Sequence, residues 1–407
     1  MPARSHPRVA IIADFLEEGW PSMDLVAEML CANLRVEAAG ALTVELIRPS
    51  MARRFSRAKA RSGAATRRLF NADRLLNRFF DYPRHLRRVR DRFDLFHVTD
   101  HSYAHLTHAL DASRTVVTCH DLDAFESLLD PGRTRRSPAF RLMTARILSG
   151  LRAAARVGCD SDATAAELLR YRLTPAHRTR VIPMGVAPEF TPAPDASADR
   201  AAARIVGAPA ADTIEILHVG STIARKRIDV ALRTFAAIRQ EFPAARLIRV
   251  GGPFTPAQNA LARQLGVAAA IVVAPFVDRT TLAALYRRAA IAITPSAAEG
   301  FGLPVLEAMA CGAPALASDI AALREVGGGA VEYAPIADIA AWMAGATRIL
   351  RERGTPGARE RRAAAIAWAG RFTWGDTARR YAEVYRDLPD LNLAPRAAAS
   401  ALSSEVA

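Results

Sequence analysis

Two glutamates, Glu299 and Glu307, stand eight residues apart in the string EGFGLPVLE, with Gly300 and Gly302 between them. Glycine lets backbone amides approach a ligand closely, and Pro304 suits a first helical turn, where its missing N–H would lack an intrahelical partner anyway. A helix start of this kind favours an anion such as phosphate, through its unpaired amides and the positive end of its dipole. A carboxylate beside a diphosphate is repelled, so the two acids read better as acceptors for hydroxyl groups, of a sugar and of a ribose. The ligand so implied is a nucleotide sugar. A plainer reading makes Glu299 a solvated cap and Glu307 a complement to the helix dipole. That suffices for Glu307 alone, but not for GFGLPVLEAMACGAP, where two glycines and a proline fall in register with the acids.

The elements that must position this loop are legible on either side of it. Residues 290–294 form a short apolar run of buried-strand type, 295–302 are small and turn-forming, and 303–311 have helical spacing before a stop at Gly312. A second apolar run covers 313–317. Strand, loop, helix, strand is the building block of a parallel sheet.

With seven residues between its glutamates, EGFGLPVLE resembles the signature of the family 4 retaining glycosyltransferases of GT-B fold. The resemblance implies an α/β chain with two Rossmann-like domains whose parallel sheets face across a cleft, and a C-terminal helix that crosses back to the first domain. It implies transfer of a hexose from a nucleoside diphosphate sugar to an acceptor hydroxyl with retained anomeric configuration. At 407 residues the chain is long enough for two such domains. The expected division is an acceptor-side domain over 1–190, a linker rich in Ala and Pro over 191–212, a nucleotide-sugar domain over 213–370, a crossover helix over 371–388 and a disordered tail over 389–407.

In chain order, residues 8–14 (RVAIIAD) read as a buried strand. They are followed by a loop with Gly19 and Pro21 and a helix beginning near Asp24. The family's first loop is glycine-rich; here FLEEGWPSMD has one glycine. Strands are expected at 42–47, 95–98 and 115–118, and His120 and Asp121 stand just beyond the last. A histidine there can donate to a sugar hydroxyl and Asp121 can orient it, and the family commonly carries His-Asp near the donor sugar. Asp100 and His101 close the preceding strand in the same fashion. In the second half, 215–219 opens a strand running into GSTIARKRID. Only Lys59 and Lys226 are lysines among 55 basic residues, so Lys226 stands where arginine is the chain's habit. A compact ammonium reaching a diphosphate is one physical reason. The resemblance implies the same, with an Arg-Lys pair on the donor phosphates matching Arg225 and Lys226, although Ser221 stands where some members carry arginine. It also places Gly252, in the turn after a strand at 246–250, and the backbone near Phe276 and Val277, after a strand at 271–277, against the nucleotide. Gly300, Phe301, Gly302 and Leu303 complete the donor site with Glu307. A helix is expected over 280–289, further helices over 336–352 and 356–369, and an amphipathic one over 372–388 with Trp374, Ala378, Tyr381 and Tyr385 near one face.

Composition sets the remaining bounds. An apolar content of 51% fits a globular protein. No apolar run reaches membrane-spanning length and the N-terminal run before Asp14 is too short for a signal sequence, so a cytoplasmic protein is expected. The four cysteines, Cys31, Cys119, Cys159 and Cys311, are scattered without a CxxC pair, which suggests neither a zinc site nor a disulfide framework. The net charge of +14 is uneven. Residues 51–92 hold thirteen Arg and one Lys against three Asp, interleaved with Phe55, Leu69, Phe70, Leu75, Leu76, Phe79, Phe80 and Tyr82. Such a basic amphipathic segment suits the inner face of an anionic membrane or a phosphate-bearing acceptor, and equally a solvated arginine face. No nucleic-acid module accompanies it.

The mechanism implied is metal-independent, with no cofactor beyond the sugar nucleotide as co-substrate. Lys226, Arg225 and the helix start at Gly302 supply positive charge for the departing diphosphate. Glu299 holds donor-sugar hydroxyls, Glu307 the ribose, and His120 the sugar. A glycan or lipid-linked acceptor, in lipid-linked or cell-surface polysaccharide assembly, follows from the basic segment and the family's habits. Three other readings stay open: a nucleotide-sugar epimerase of related fold, a GT-B hydrolase or phosphorylase, and a catalytically silent nucleotide-sugar-binding or membrane scaffold.

Overall fold

The computed structural model describes residues 6–56, 64–132, 134–208 and 213–388. The 389–407 tail and the middle of the basic segment, 57–63, lie outside them. The chain divides into two compact units, one comprising 1–159, 167–182 and 375–407, the other 160–166 and 183–374.

The first unit is built on six parallel strands, β1 (Arg8–Ile12), β2 (Thr43–Ile47), β3 (Leu95–Val98), β4 (Thr115–Cys119), β5 (Arg156–Cys159) and β6 (Thr179–Val181), in the order β2-β1-β3-β4-β5-β6. The central strands are continuous runs of buried residues, as a sheet covered on both faces requires. The helix after β1 is Pro21–Glu37 and starts three residues before the expected Asp24, because Pro21 supplies the fixed φ that a first turn needs.

The helix Trp374–Arg386, the last element described, packs in this first unit although the second unit precedes it in the chain. Its four named residues, Trp374, Ala378, Tyr381 and Tyr385, are all buried. Two tyrosines anchor it. Tyr385 Oη lies 2.6 Å from Nδ1 of His97 on β3, and Tyr381 Oη lies 2.7 Å from Oγ1 of Thr118, which in turn contacts His97 Nε2 at 2.7 Å. Tyr381 explains a glycine in β5 as well: a Cβ on Gly158 would meet Tyr381 Oη at 2.3 Å.

The second unit repeats the plan with β7 (Ile214–Val219), β8 (Ala245–Val250), β9 (Ile271–Ala274), β10 (Ile291–Thr294), β11 (Ala315–Ser318) and β12 (Glu332–Ala334). All are parallel, in the order β12-β11-β10-β7-β8-β9. Its core gathers Ile216, Phe235, Leu247, Ile291, Leu316 and Trp342. Two expectations need correction. The strand placed at 271–277 ends at Ala274, before Pro275, which has no N–H to offer a neighbouring strand. The stretch 191–212 is also not a plain linker: Ala196–Val206 is a helix, because Asp195 caps it by accepting from the Ser197 and Ala198 amides at 2.8 and 3.0 Å and alanine supplies helix propensity.

His97 is buried without a charge partner, and burial depresses its pKa to about 3. The unfolded chain therefore binds a proton that the folded chain refuses. The stability His97 contributes is complete above about pH 6.5 and is lost as the pH falls, by about 1 kcal/mol per pH unit. Because burial depresses His105 and His218 in the same way, denaturant titrations at pH 7 and pH 5 are expected to show a slope of which His97 supplies about 1 kcal/mol per pH unit, and His97→Gln to reduce it by that share.

Candidate active site

In the second unit the loop after β10 enters the helix Leu303–Ala310 through Gly302, which adopts φ 110°. A side chain there would be strained and would sit 2.6 Å from Leu323 Cδ2, so conformation and space both demand glycine. The Gly302 carbonyl accepts from the Val305 and Leu306 amides at 2.9 and 3.2 Å, and Pro304 occupies the first turn. Two hydroxyls hold the loop from behind. Ser161 and Thr164 donate to the Gly300 carbonyl at 2.6 and 3.2 Å, while buried Phe301 packs edge-on against Phe372.

Glu299, at the start of this loop, meets two cations, a contact the sequence did not foretell. Lys226 Nζ lies 2.6 Å from Glu299 Oε1, and Arg225 Nη1 lies 3.5 Å from Oε2 while donating to the Ala298 carbonyl at 3.0 Å. The Ala297 amide donates to the Arg225 carbonyl at 2.7 Å, tying the two loops by backbone too. Lys226 ends a tight turn, Ala224–Lys226, whose next residue, Arg227, takes the left-handed conformation at φ 47°. That conformation costs a non-glycine residue about 1 kcal/mol or more and is held here by the Arg227–Asp229 ion pair at 2.8 Å.

Glu307 points into the unit. Its Oε2 accepts from the Tyr286 hydroxyl at 3.0 Å, and burial pushes its pKa up to about 8. Near neutral pH it is therefore mostly a protonated acid. Tyr286, on the helix Arg279–Arg288, positions it, and nothing in the sequence beyond a tyrosine on an apolar helix face signals this.

A second unforeseen residue is Arg249, on β8 and fully buried. Its Nη1 donates to the Gly252 carbonyl and its Nη2 to the Gly220 carbonyl, each at 2.6 Å, joining the turns that follow β7 and β8. Burial pulls its pKa down to about 10. A Cβ on Gly251 would meet the Gly220 oxygen at 2.0 Å, so the turns touch backbone to backbone. The detectable signal was an arginine interrupting the apolar run LIRV. Beyond Gly252 lies Phe276, 60% exposed, its ring 3.7 Å from where a Gly252 Cβ would stand, with Val277 following. The second unit thus brings Arg225, Lys226 and Glu299 together at one loop, Glu307 below it, and Gly252 beside Phe276 at the neighbouring turns.

The first unit holds the remaining predicted residues. His120 is buried beyond β4 and donates from Nε2 to the Thr99 carbonyl at 2.8 Å, which fixes its tautomer. Asp121 Oδ1 lies 3.5 Å from His101 Nε2, and His101 Nδ1 accepts from the His120 amide at 3.3 Å, so the three residues form one cluster. Behind them Asp14, just beyond β1, is buried beside Asp100. Desolvation first, and then the Asp100 charge, raise its pKa well above the carboxylate range.

The region 213–352 matches the family model described as "Glycosyl transferases group 1", and 27–190 matches "Glycosyltransferase Family 4". The chain belongs to the family 4 glycosyltransferases. It is 32% identical over 288 residues to a D-inositol 3-phosphate glycosyltransferase of Thermobispora bispora, covering 67% of this chain and 64% of the relative. It is 30% identical over 278 residues to the serotype-specific mannosyltransferase WbdA of Escherichia coli, covering 65% and 32%. The matches thus span less than two thirds of the length of these curated relatives. Among solved structures, sucrose-phosphate synthase from Thermosynechococcus elongatus aligns with a TM-score of 0.68 at 21% identity over 94% of this chain and 99% of that one. Anabaena HepE in complex with UDP-glucose aligns at 0.66 and 17% identity over 94% and 100%. The fold is GT-B.

A Glu307→Gln variant mimics the protonated acid. Because the wild-type pKa is raised in the fold, wild-type stability falls as the pH climbs from the unfolded value near 4.5 through about 8. The variant is expected to lack that fall while changing stability at pH 6 by less than about 1 kcal/mol, as measured by urea denaturation.

Proposed function

We propose that this protein is a retaining, metal-independent glycosyltransferase that moves a hexose from a nucleoside diphosphate sugar to an acceptor hydroxyl. The observation that carries the reading is the Lys226–Glu299 contact of 2.6 Å at the glycine loop leading into the Gly302 helix start, with Glu307 one turn inside. Lys226, Arg225 and the helix start offer positive charge to a diphosphate, and Glu299 then exchanges a lysine partner for sugar hydroxyls. The bond from the anomeric carbon to the phosphate oxygen breaks and one to the acceptor oxygen forms. The acceptor oxygen attacks from the face that the phosphate leaves, which retains the configuration without an enzyme nucleophile, and its proton passes to the departing phosphate, which thereby serves as the base. Gly252, Phe276 and Val277 border the nucleoside and Leu303 the phosphates, while His120 and Asp121 serve the sugar.

The names of the relatives support a hexosyl donor. UDP-glucose bound by HepE makes UDP-hexoses the first to try, and the inositol phosphate named for one relative supports a polyol phosphate acceptor beside a glycan one. Among the described residues no helix is long and apolar enough to cross a membrane. The exposed Arg84, Arg87, Arg88, Arg90 and Arg92 of the 51–92 segment support peripheral attachment to an anionic membrane, which suits a lipid-linked acceptor.

A thermal-shift screen against UDP-, GDP-, ADP- and dTDP-sugars tests the donor site. At 100 times its Kd a ligand adds about 2.7 kcal/mol to the native state. One nucleotide class is expected to raise the melting temperature of wild type and to lose that effect in Lys226→Ala; a screen in which no sugar nucleotide shifts it overturns the reading. Ribose hydroxyls donating to Glu307 favour its ionised form, so donor binding is expected to release a proton. Calorimetry at pH 7 in buffers of different ionisation enthalpy reads this directly.

A further inference from the structure

The first unit carries an apolar groove of about 560 Å³ between two helical segments. One wall is Leu75, Leu76, Phe79 and Phe80, from the end of the helix Ala64–Leu76 and the following wide turn Asn77–Asp81; the other includes Leu142 and Met143 of the helix Pro138–Ala153. Its rim is not a chance scatter of apolar residues. Phe80 is 68% and Leu142 74% exposed, large apolar side chains presented on both walls of one groove.

The exposed rings are held in place. In the wide turn, Phe79 faces inward and stacks on His105 at 4.4 Å, whereas Phe80 faces out. Arg78, between Asn77 and Phe79, is anchored to Glu18 at 3.4 Å and lies 4.0 Å over the Tyr103 ring. Asn77 exchanges hydrogen bonds with the Ala52 backbone at 2.7 and 2.9 Å, and Asp73 accepts from the amides of Arg54, Phe55 and Ser56 at 2.8 to 3.0 Å. The wall cannot easily turn its leucines and phenylalanine inward, so water is left against them unless something else covers them.

Charge decides what covers them. Along 134–153 the exposed charged residues are Arg135, Arg136, Arg141, Arg146 and Arg152, with no acid; along 67–80 they are Arg67 and Arg68, and the one acid, Asp73, is buried. Arg146 itself lines the groove. A second copy of the chain would set arginine against arginine, and nucleic acid would leave an apolar floor uncovered. Hydrocarbon chains below anionic headgroups match both features at once. We infer that this groove takes up acyl chains of an anionic membrane leaflet, with Arg141 and Arg146 on the headgroup phosphates. The inference deepens the peripheral-membrane reading above and rests on it. It moves the insertion point from the arginine segment alone to a site that the helix Pro138–Ala153 completes.

The test uses the full chain and vesicles of phosphatidylglycerol with phosphatidylcholine, against phosphatidylcholine alone. A Leu142→Trp variant is expected to show a blue-shifted emission on the anionic vesicles and quenching by lipids brominated on their chains. The Phe80→Ser/Leu142→Ser double variant, altered only at exposed positions, is expected to keep the parent melting temperature and to bind about tenfold more weakly or worse. If wild type binds anionic vesicles while the tryptophan is not quenched and the double variant binds equally well, the groove inference is overturned and electrostatic attachment stands. If wild type binds no vesicle, the peripheral-membrane reading falls with it. A dimer in sedimentation that the double variant abolishes would assign the groove to self-association and overturn the inference too.

Discussion

A lysine ammonium and a glutamate carboxylate meet at 2.6 Å beside a loop that glycine alone can shape, and the candidate site is arranged around that contact. Neither group could be placed without the backbone around it. Lys226 is set by a turn that puts a non-glycine residue into the left-handed region, and Glu299 by a loop whose Gly302 is packed against Leu323 and Val326. The Ser161 and Thr164 hydroxyls fix the Gly300 carbonyl and so keep the loop from relaxing. A charge-assisted hydrogen bond of this length is strong when little exposed to water, and a diphosphate can displace it because it offers Lys226 more charge than one carboxylate does.

The neighbouring charges are handled in a different manner. Glu307 is kept mostly neutral by burial and accepts from the Tyr286 hydroxyl, while Arg249 stays a cation and satisfies two glycine carbonyls. His218, on β7, is buried near Arg249 and Lys226; burial first and those two cations next bring its pKa down to about 3, so it remains uncharged. Around the candidate phosphate site the fold thus keeps positive charge on Lys226, Arg225 and Arg249 and suppresses competing ionisation nearby. That is a preorganised field rather than one assembled by the ligand.

Much of this was legible before any coordinates, and for physical reasons. The strand-loop-helix-strand unit at 290–317 and the singling out of Lys226 announce themselves because glycine, proline and a rare lysine are each chosen for one property, whereas the contact of Lys226 with Glu299 appears only in the fold. Apolar strand runs were equally plain. What escaped was set by tertiary contacts. Tyr286 and Arg249 look like ordinary helix and strand residues, and only the fold brings them to Glu307, Gly220 and Gly252. Asp121 adjoins His120 in sequence, whereas its contact with His101 appears only because β3 and β4 lie side by side. The alanine-rich stretch around Ala196–Val206 reads as linker by composition but is helical, because an N-cap aspartate and alanine propensity outweigh the prolines before it. The groove on the first unit needed two segments almost sixty residues apart, which no local pattern reveals.

The most direct measurement is proton NMR of the product made from an α-linked nucleoside diphosphate hexose and an acceptor panel that includes inositol phosphate. The account predicts release of the nucleoside diphosphate and a new glycoside whose anomeric proton keeps the α configuration, both abolished by Lys226→Ala. A β-configured product, or turnover undiminished in Lys226→Ala, would contradict it.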